Sequence, residues 1–502
     1  MVQQRGKERQ MNAWRSNYFA LAAGLLLTGC STEKRPNVVL VVVDTLRADR
    51  MSCYGYSRPT TPFLDRMADE GALFEDVTAQ FSWTVPSMVS MFTGRYLTDL
   101  SEQVAPGQRT ITQAFRKAGY ITVGASANLL LQKDTGLLAG FDTFDAMPEA
   151  SDSDRSLTEL GASILAALDQ QLVNADGAKQ TAPVFMYLHA FETHDPYRRW
   201  EAADAELSVT GAIPIQPEGW LIENLKPFAE LAPDDDPLWR SDRDWINRAR
   251  GRYEHEIRLV DSQLETFMDE LRERGLLDHA IIALVSDHGE GLWEHEPPDW
   301  IRDRAIETED YWERLPREIF YQKHGAIQYQ EVLATPMMIW GSGIPKGARV
   351  STPVENIDLL PTLLQLADLP ILPDLHGQSL VPQLSNSRVA PRTFVYSLGV
   401  QGATIREVAS SLKLIVPQRK SESLGEPHRL YRLSEDPHER TNLAESHPAD
   451  VARLRRAFDQ WVEKYPVQRG NRTGSRAAER TAALRRRLSA IGYTSDESTS
   501  DE

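Results

Sequence analysis

Residues 38–43 read Val-Val-Leu-Val-Val-Val, an unbroken apolar run as long as one strand. A run with no polar alternation is stable as a strand only where both of its faces are covered. Val184 to Leu188, Ala280 to Val285 and Pro336 to Trp340 have the same character. Between these runs lie helical patterns over Thr60 to Gly71, Thr110 to Gly119 and Tyr253 to Gly275. The last carries Ile257, Val260, Leu264, Phe267 and Leu271 at helical spacing and ends on a glycine stop. Buried strands alternating with helices predict an α/β fold, a large mostly parallel sheet with helices on both faces.

That pattern holds over residues 37–388, the expected main domain. Two stretches within it, 198–248 and 296–322, interrupt the alternation and read as insertions that serve as lids, binding loops or solvated decoration. Beyond residue 388 the runs become short and alternating, at Thr393 to Ser397, Leu412 to Val416 and Leu430 to Leu433, followed by a helical pattern over Pro448 to Tyr465. Residues 389–467 are therefore expected to form a small α+β domain with an antiparallel sheet. The charged tail, 468–502, is expected to be mobile.

The N-terminus sets the compartment. Arg15 precedes an apolar stretch, Tyr18 to Leu27, too short to span a bilayer but suited to a signal-peptide core. It ends in Leu27-Thr28-Gly29-Cys30, which resembles a bacterial lipobox, so residues 1–29 are expected to be a signal peptide, Cys30 the lipidated residue and 30–36 a tether. A plain secretory peptide or a buried helix is the alternative. Ser31 lacks the acidic character associated with inner-membrane retention, which points to the periplasmic face of the outer membrane. Cys53 is then the one cysteine left, and an intramolecular disulfide is excluded. The formal net charge of −17 becomes −20 once the four basic residues and one acidic residue of 1–29 are removed. Such acidity argues against nucleic acid as a partner, and an anionic substrate would need concentrated local positive charge, as a bound cation supplies.

Functional groups of α/β sheets collect where strands end at their carboxyl edge. The first run ends in Asp44, the second leads into His189, Glu192, His194 and Asp195, and the third into Ser286-Asp287-His288-Gly289. One aspartate at a strand end is commonly a cap for the next helix. Three strand ends loaded with Asp and His are harder to account for by solvation. In Ser82-Trp83-Thr84-Val85-Pro86-Ser87, Pro86 and the later Gly94 frame a short helix and put Thr84 at its N-terminus, where backbone N–H groups favour an anion. Alone, that hydroxyl is an N-cap. Beside a metal it becomes a nucleophile.

Taken in order, these segments resemble the sulfatase family of the alkaline-phosphatase superfamily. The resemblance rests on Asp44-Thr45-Leu46-Arg47-Ala48-Asp49, Thr60-Thr61-Pro62-Phe63-Leu64-Asp65, Thr84-Val85-Pro86-Ser87 with Thr93-Gly94-Arg95, and His194-Asp195-Pro196-Tyr197. It continues through Ser286-Asp287-His288-Gly289-Glu290, Asn356-Ile357-Asp358-Leu359-Leu360-Pro361-Thr362 and Leu430-Tyr431-Arg432-Leu433. It implies that Asp44, Thr84, Asp287 and His288 bind a divalent metal and that His194 touches the transferred group. His324 or Lys323 falls near the family's cationic group-binding residue, and His295 is a second candidate there. A structural role for either histidine stays open. Arg47 is a candidate substrate contact, with a structural ion pair as the alternative.

The chain departs from the family at the nucleophile. Sulfatases that use formylglycine need Cys or Ser where this chain has Thr84, and oxidation of threonine gives a ketone. Met88 replaces the arginine usual two residues after the proline. Family branches with a threonine nucleophile act on phosphate esters, so the expected activity is hydrolysis or transfer of a phosphate ester through a covalent threonine intermediate. Sulfate-ester hydrolysis without formylglycine, and a catalytically inactive envelope-binding protein, are the competing readings. Oxygen and imidazole ligands suit Mn, Mg, Ca or Zn. One ion is favoured; a second would draw on Glu192, His194, His295 and His324.

Overall fold

The computed structural model describes residues 34–97, 103–148, 155–172, 182–195, 197, 237–292, 294–295, 324–325, 327–385, 390–399, 402–417 and 427–465. Among the described residues the main sheet has eight strands: β1 (Asn37–Val43), β2 (Gly71–Phe74), β4 (Ile121–Ser126), β5 (Thr143–Asp145), β6 (Val184–Ala190), β7 (Ala280–Val285), β8 (Met337–Gly341) and β9 (Ala348–Val350). Short β3 (Val77–Thr78) and β10 (Val354–Glu355) pair separately. The order is β5-β4-β6-β1-β7-β8-β2-β9, parallel except where β8 pairs with β7 and β2.

The apolar runs behave as their composition demands. Val38, Leu40 and Val42 enter one core, while Val39, Val41 and Val43 enter another on the opposite face. β7 divides the same way, Ile281, Ala283 and Val285 against Ala280, Ile282 and Leu284. A strand that supplies two cores needs an apolar side chain at nearly every position. The first face is covered by α2 (Thr84–Thr93) and by a helix over Leu359–Leu366. The second is covered by α1 (Pro62–Glu70), α4 (Leu157–Gln171) and α5 (Pro237–Glu273), while α3 (Ile111–Lys117) packs Ile111, Ala114 and Phe115 into the first core.

α5 begins sixteen residues before the expected start at Tyr253. Its first turns, rich in Trp, Arg and Asp, carry no Pro or Gly between Pro237 and Gly251 to stop a helix. The end of the expected 198–248 insertion therefore belongs to this helix. Residues 198–236, the second insertion, the signal segment with Cys30, and the tail lie outside the described residues.

The second sheet is antiparallel, β11 (Phe394–Leu398), β12 (Gly402–Glu407), β13 (Leu412–Pro417) and β14 (Arg429–Arg432) in sequential order. A helix over Pro448–Lys464 packs Leu454, Phe458 and Trp461 against it. A bridge between Phe81 and Leu398 ties this sheet to the chain just before α2. None of the described helices is long and apolar enough to cross a membrane.

Candidate active site

β1, β6 and β7 lie side by side, so their carboxyl ends deliver Asp44, His189 and Asp287 to one place. Thr84 arrives from the other direction as the first residue of α2, a wholly buried helix that Gly94 closes at φ 63°. Its Oγ1 lies 3.3 Å from His288 Nε2 and 3.5 Å from Asp44 Oδ2. Asn128, two residues beyond β4, donates from Nδ2 to Asp44 Oδ2 at 2.6 Å and reaches Thr84 Oγ1 at 3.5 Å. The four expected ligands are thus brought together, and two groups join them that sequence reading did not assign: Asn128 and His189.

The imidazoles are oriented by their far nitrogens. His288 Nδ1 lies 2.8 Å from the Gly289 carbonyl, an acceptor, so the proton sits on Nδ1 and the Nε2 lone pair faces Thr84 and Asp287. His189 Nδ1 is 2.8 Å from the Tyr187 hydroxyl, and its Nε2 is 3.3 Å from Asp44 Oδ2. The glycine after His288 is sterically required: a Cβ there would stand 2.0 Å from the Glu331 carbonyl oxygen.

Asp44 Oδ1, Asp287 Oδ2 and His189 Nε2 are buried, and no hydrogen-bond partner satisfies them among the described residues. Burying a carboxylate oxygen without a partner is costly. Burial and then the neighbouring Asp44 push the Asp287 carboxyl up to about 6. At Asp44 burial acts in the same upward direction, but the His189 contact and the nearby imidazoles outweigh it and hold that carboxyl well below the usual range. Two facing carboxylates and an imidazole, with ligand atoms all within 4.8 Å of one another, form a donor set that fits a divalent cation.

His194 and His324 stand beside this centre. The rings of His288 and His324 are 4.5 Å apart, and those of His324 and His194 are 4.7 Å apart. Glu290 holds His324 through Nδ1 at 3.0 Å, and the Asp195 carbonyl holds His194 Nδ1 at 2.5 Å. Burial first, then His324, pushes the His194 pKa down to about 4.

The remaining expected residues go elsewhere. The Glu192 carboxylate accepts from the backbone N–H groups of Leu157 and Phe191, so it caps the start of α4. Arg47 is buried and spent on Asp49, Glu294 and the Glu290 carbonyl. His295 pairs with Glu331 at 2.6 Å and stacks on Tyr329. Arg47 and His295 line a separate cavity of about 730 Å³, shared with Arg406 of β12 and Ser411 in the turn before β13. Lys323 lies outside the described residues.

A model of the sulfatase family matches residues 36–369, and one described as N-sulphoglucosamine sulphohydrolase, C-terminal, matches residues 319–464. The chain belongs to the sulfatase family. It is 22% identical to an N-acetylglucosamine-6-O-sulfatase of Bacteroides thetaiotaomicron over 448 residues, which cover 74% of this chain and 75% of that relative. It is 25% identical to arylsulfatase K of Gallus gallus over 486 residues, covering 86% and 85%. Among solved structures, a protein in complex with its substrate D-glucosamine-2-N,6-O-disulfate superposes with TM-score 0.63 at 18% identity, covering 88% of this chain and all of that one. The phosphonate monoester hydrolase of Agrobacterium radiobacter superposes with TM-score 0.58 at 19% identity, covering 86% and 96%. Sulfatase-superfamily enzymes use a divalent metal, and the site of this family member carries a donor set for one.

Proposed function

We propose that this sulfatase-family enzyme cleaves or transfers a phosphate ester through a covalent intermediate on Thr84. The observation that carries the reading is the placement of Thr84 Oγ1 among Asp44, Asn128 and His288 at the N-terminus of a buried helix. Asp44, Thr84, His189, Asp287 and His288 are the residues that would hold the cation. A divalent cation there lowers the pKa of the threonine hydroxyl, so the oxygen is available as a nucleophile near neutral pH.

The chain's own groups account for the rest. Thr84 Oγ1 attacks phosphorus, the bond from phosphorus to the leaving alcohol breaks, and the phosphoryl group is carried on Thr84. Water, or an acceptor alcohol, then attacks the same phosphorus and frees Thr84. Asn128 Nδ2 fixes Asp44 and stands within reach of the attacking oxygen. His324, held by Glu290, is placed to contact the transferred group and to give the departing oxygen its proton, while His194, its pKa pushed down to about 4, stands beside it as a neutral imidazole.

A threonine cannot become formylglycine, which supports phosphate over sulfate. The phosphonate hydrolase among the structural neighbours is consistent with phosphorus chemistry on this fold. Sulfate-ester hydrolysis by the unmodified threonine is the second reading, favoured by the sulfatase names of the sequence relatives. Assays with 4-nitrophenyl phosphate, bis(4-nitrophenyl) phosphate and 4-nitrophenyl sulfate separate the two. Turnover of a phosphate ester with none of the sulfate supports the first, and the reverse overturns it.

The site is proposed to face the periplasm, with the protein held at the outer membrane by lipid on Cys30. Cys30→Ala should leave the protein unprocessed or release it from membranes. Unchanged membrane association in that variant contradicts the anchor.

A further inference from the structure

The turn that carries Asp44 is strained. Thr45 has φ 57°, and among the described non-glycine residues with positive φ it is the one with a β-branched side chain. Such a residue rarely enters the left-handed region, and it stays there only where its surroundings hold it.

The holding contacts can be traced. Thr45 Oγ1 donates to the Thr193 carbonyl at 2.7 Å, and the Thr193 hydroxyl donates to the Asp44 carbonyl. The Thr45 N–H points at Asp287 Oδ1, 3.3 Å away. From α5, the fully buried Tyr253 clamps the same turn on its other side: its hydroxyl donates to the Thr45 carbonyl at 2.8 Å and accepts from the Arg47 N–H at 2.9 Å. The Tyr253 ring also meets the Tyr197 ring edge-on, 5.5 Å between centroids, just beyond the His194 segment.

These contacts have a chemical consequence. With Oδ1 of Asp287 engaged by the His288 N–H at 3.0 Å and by the Thr45 N–H, its Oδ2 is the oxygen left facing Asp44 and His288. A Thr45 that relaxed to ordinary negative φ would swing this N–H away and change the spacing of the two carboxylates. We propose that Tyr253 is a positioning residue of the cation site: its hydroxyl locks Thr45 in the left-handed conformation that sets Asp44 against Asp287. The proposal rests on the reading of these carboxylates as cation ligands and adds a residue remote from the cation.

The test is Mn²⁺ binding to the full chain, followed by electron paramagnetic resonance of the free ion, with kcat and KM for bis(4-nitrophenyl) phosphate at saturating Mn²⁺. Tyr253→Phe keeps the ring against Tyr197 and removes both hydrogen bonds. It should weaken Mn²⁺ binding about tenfold or more and lower kcat with KM within about twofold, the size of effect seen when groups that orient metal ligands are removed. Adding Thr45→Gly to Tyr253→Phe should recover a substantial part of the Mn²⁺ affinity, because glycine adopts positive φ without strain. A merely structural tyrosine would give no such rescue.

If the parent binds Mn²⁺ and Tyr253→Phe binds it equally well, the positioning role is overturned while the cation site stands. A double variant worse than Tyr253→Phe, or a Tyr253→Phe chain that fails to fold, also overturns it. A parent that takes up no Mn²⁺ overturns the cation reading and this inference together.

Discussion

Two polar clusters sit at the same edge of the main sheet, and they are built on opposite rules. Around Arg47 the charges are matched: its guanidinium contacts Asp49, Glu294 and the Glu290 carbonyl, and nearby His295 is matched to Glu331. Around Thr84, two carboxylates face each other, and Asp44 Oδ1 and Asp287 Oδ2 lack hydrogen-bond partners among the described residues. The first cluster is complete as protein and serves to hold the loops. The second is incomplete as protein, as expected of groups arranged for a cation and an anionic substrate.

The largest expected difference between the clusters is in turnover. Thr84→Ala leaves the helix and the carboxylates in place, so folding should survive while kcat falls by several orders of magnitude. Parent-level turnover by Thr84→Ala would show that another group attacks. In the Arg47 cluster the expected loss is stability. Arg47→Met removes the 2.6 Å partner of half-buried Glu294 and leaves it the 3.4 Å contact with Arg50, so it should cost about 3 kcal/mol in denaturant unfolding, the lower end for broken buried pairs. A stable but inactive Arg47→Met protein would move Arg47 into the substrate site and break the contrast.

Asn128→Ala should have an intermediate effect, lowering Mn²⁺ affinity or kcat by roughly 10- to 100-fold with little change in unfolding, since Asn128 orients Asp44. Equal activity in that variant would remove it from the site. The smallest effect concerns pH. Burial alone would lower the His295 pKa, but Glu331 overrides it and raises the value. A raised folded-state pKa adds stability that is fully present below the unfolded value, about 6.5, and is lost as pH rises through the folded one. Unfolding free energy of the parent should therefore fall across that rise, and His295→Gln should flatten this part of the profile. An unflattened profile would place the titration elsewhere.

What the sequence reveals of this contrast follows from how each residue is embedded. Asp44, Asp287 and His288 follow unbroken apolar runs, so their strand-end position is legible from local pattern. Thr84 is legible because Pro86 and Gly94 frame its helix. Asn128 is not, because the run before it, Ile121–Ser126, is broken by Thr122 and Gly124 and does not read as a core strand. His189 lies inside β6, paired with Val42 of β1, and its tie to Asp44 appears only once those strands lie side by side. Arg47 could equally have met substrate or protein, since one dimension does not reveal that Asp49 and Glu294 surround it. Tyr253 reads as one more apolar position of a long helix; its hydroxyl contacts cross more than two hundred residues of sequence.

The central claim is that Thr84 forms a covalent bond to phosphorus. Brief reaction of the metal-loaded protein with bis(4-nitrophenyl) phosphate, acid quench, proteolysis and mass spectrometry measure this directly. The account predicts a 4-nitrophenyl phosphoryl adduct on Thr84, formed as one 4-nitrophenolate leaves, in the peptide spanning Trp83 to Arg95, and no adduct in Thr84→Ala. Turnover of the same substrate with an adduct on another residue, or with Thr84 unmodified under conditions that trap the intermediate, would contradict it.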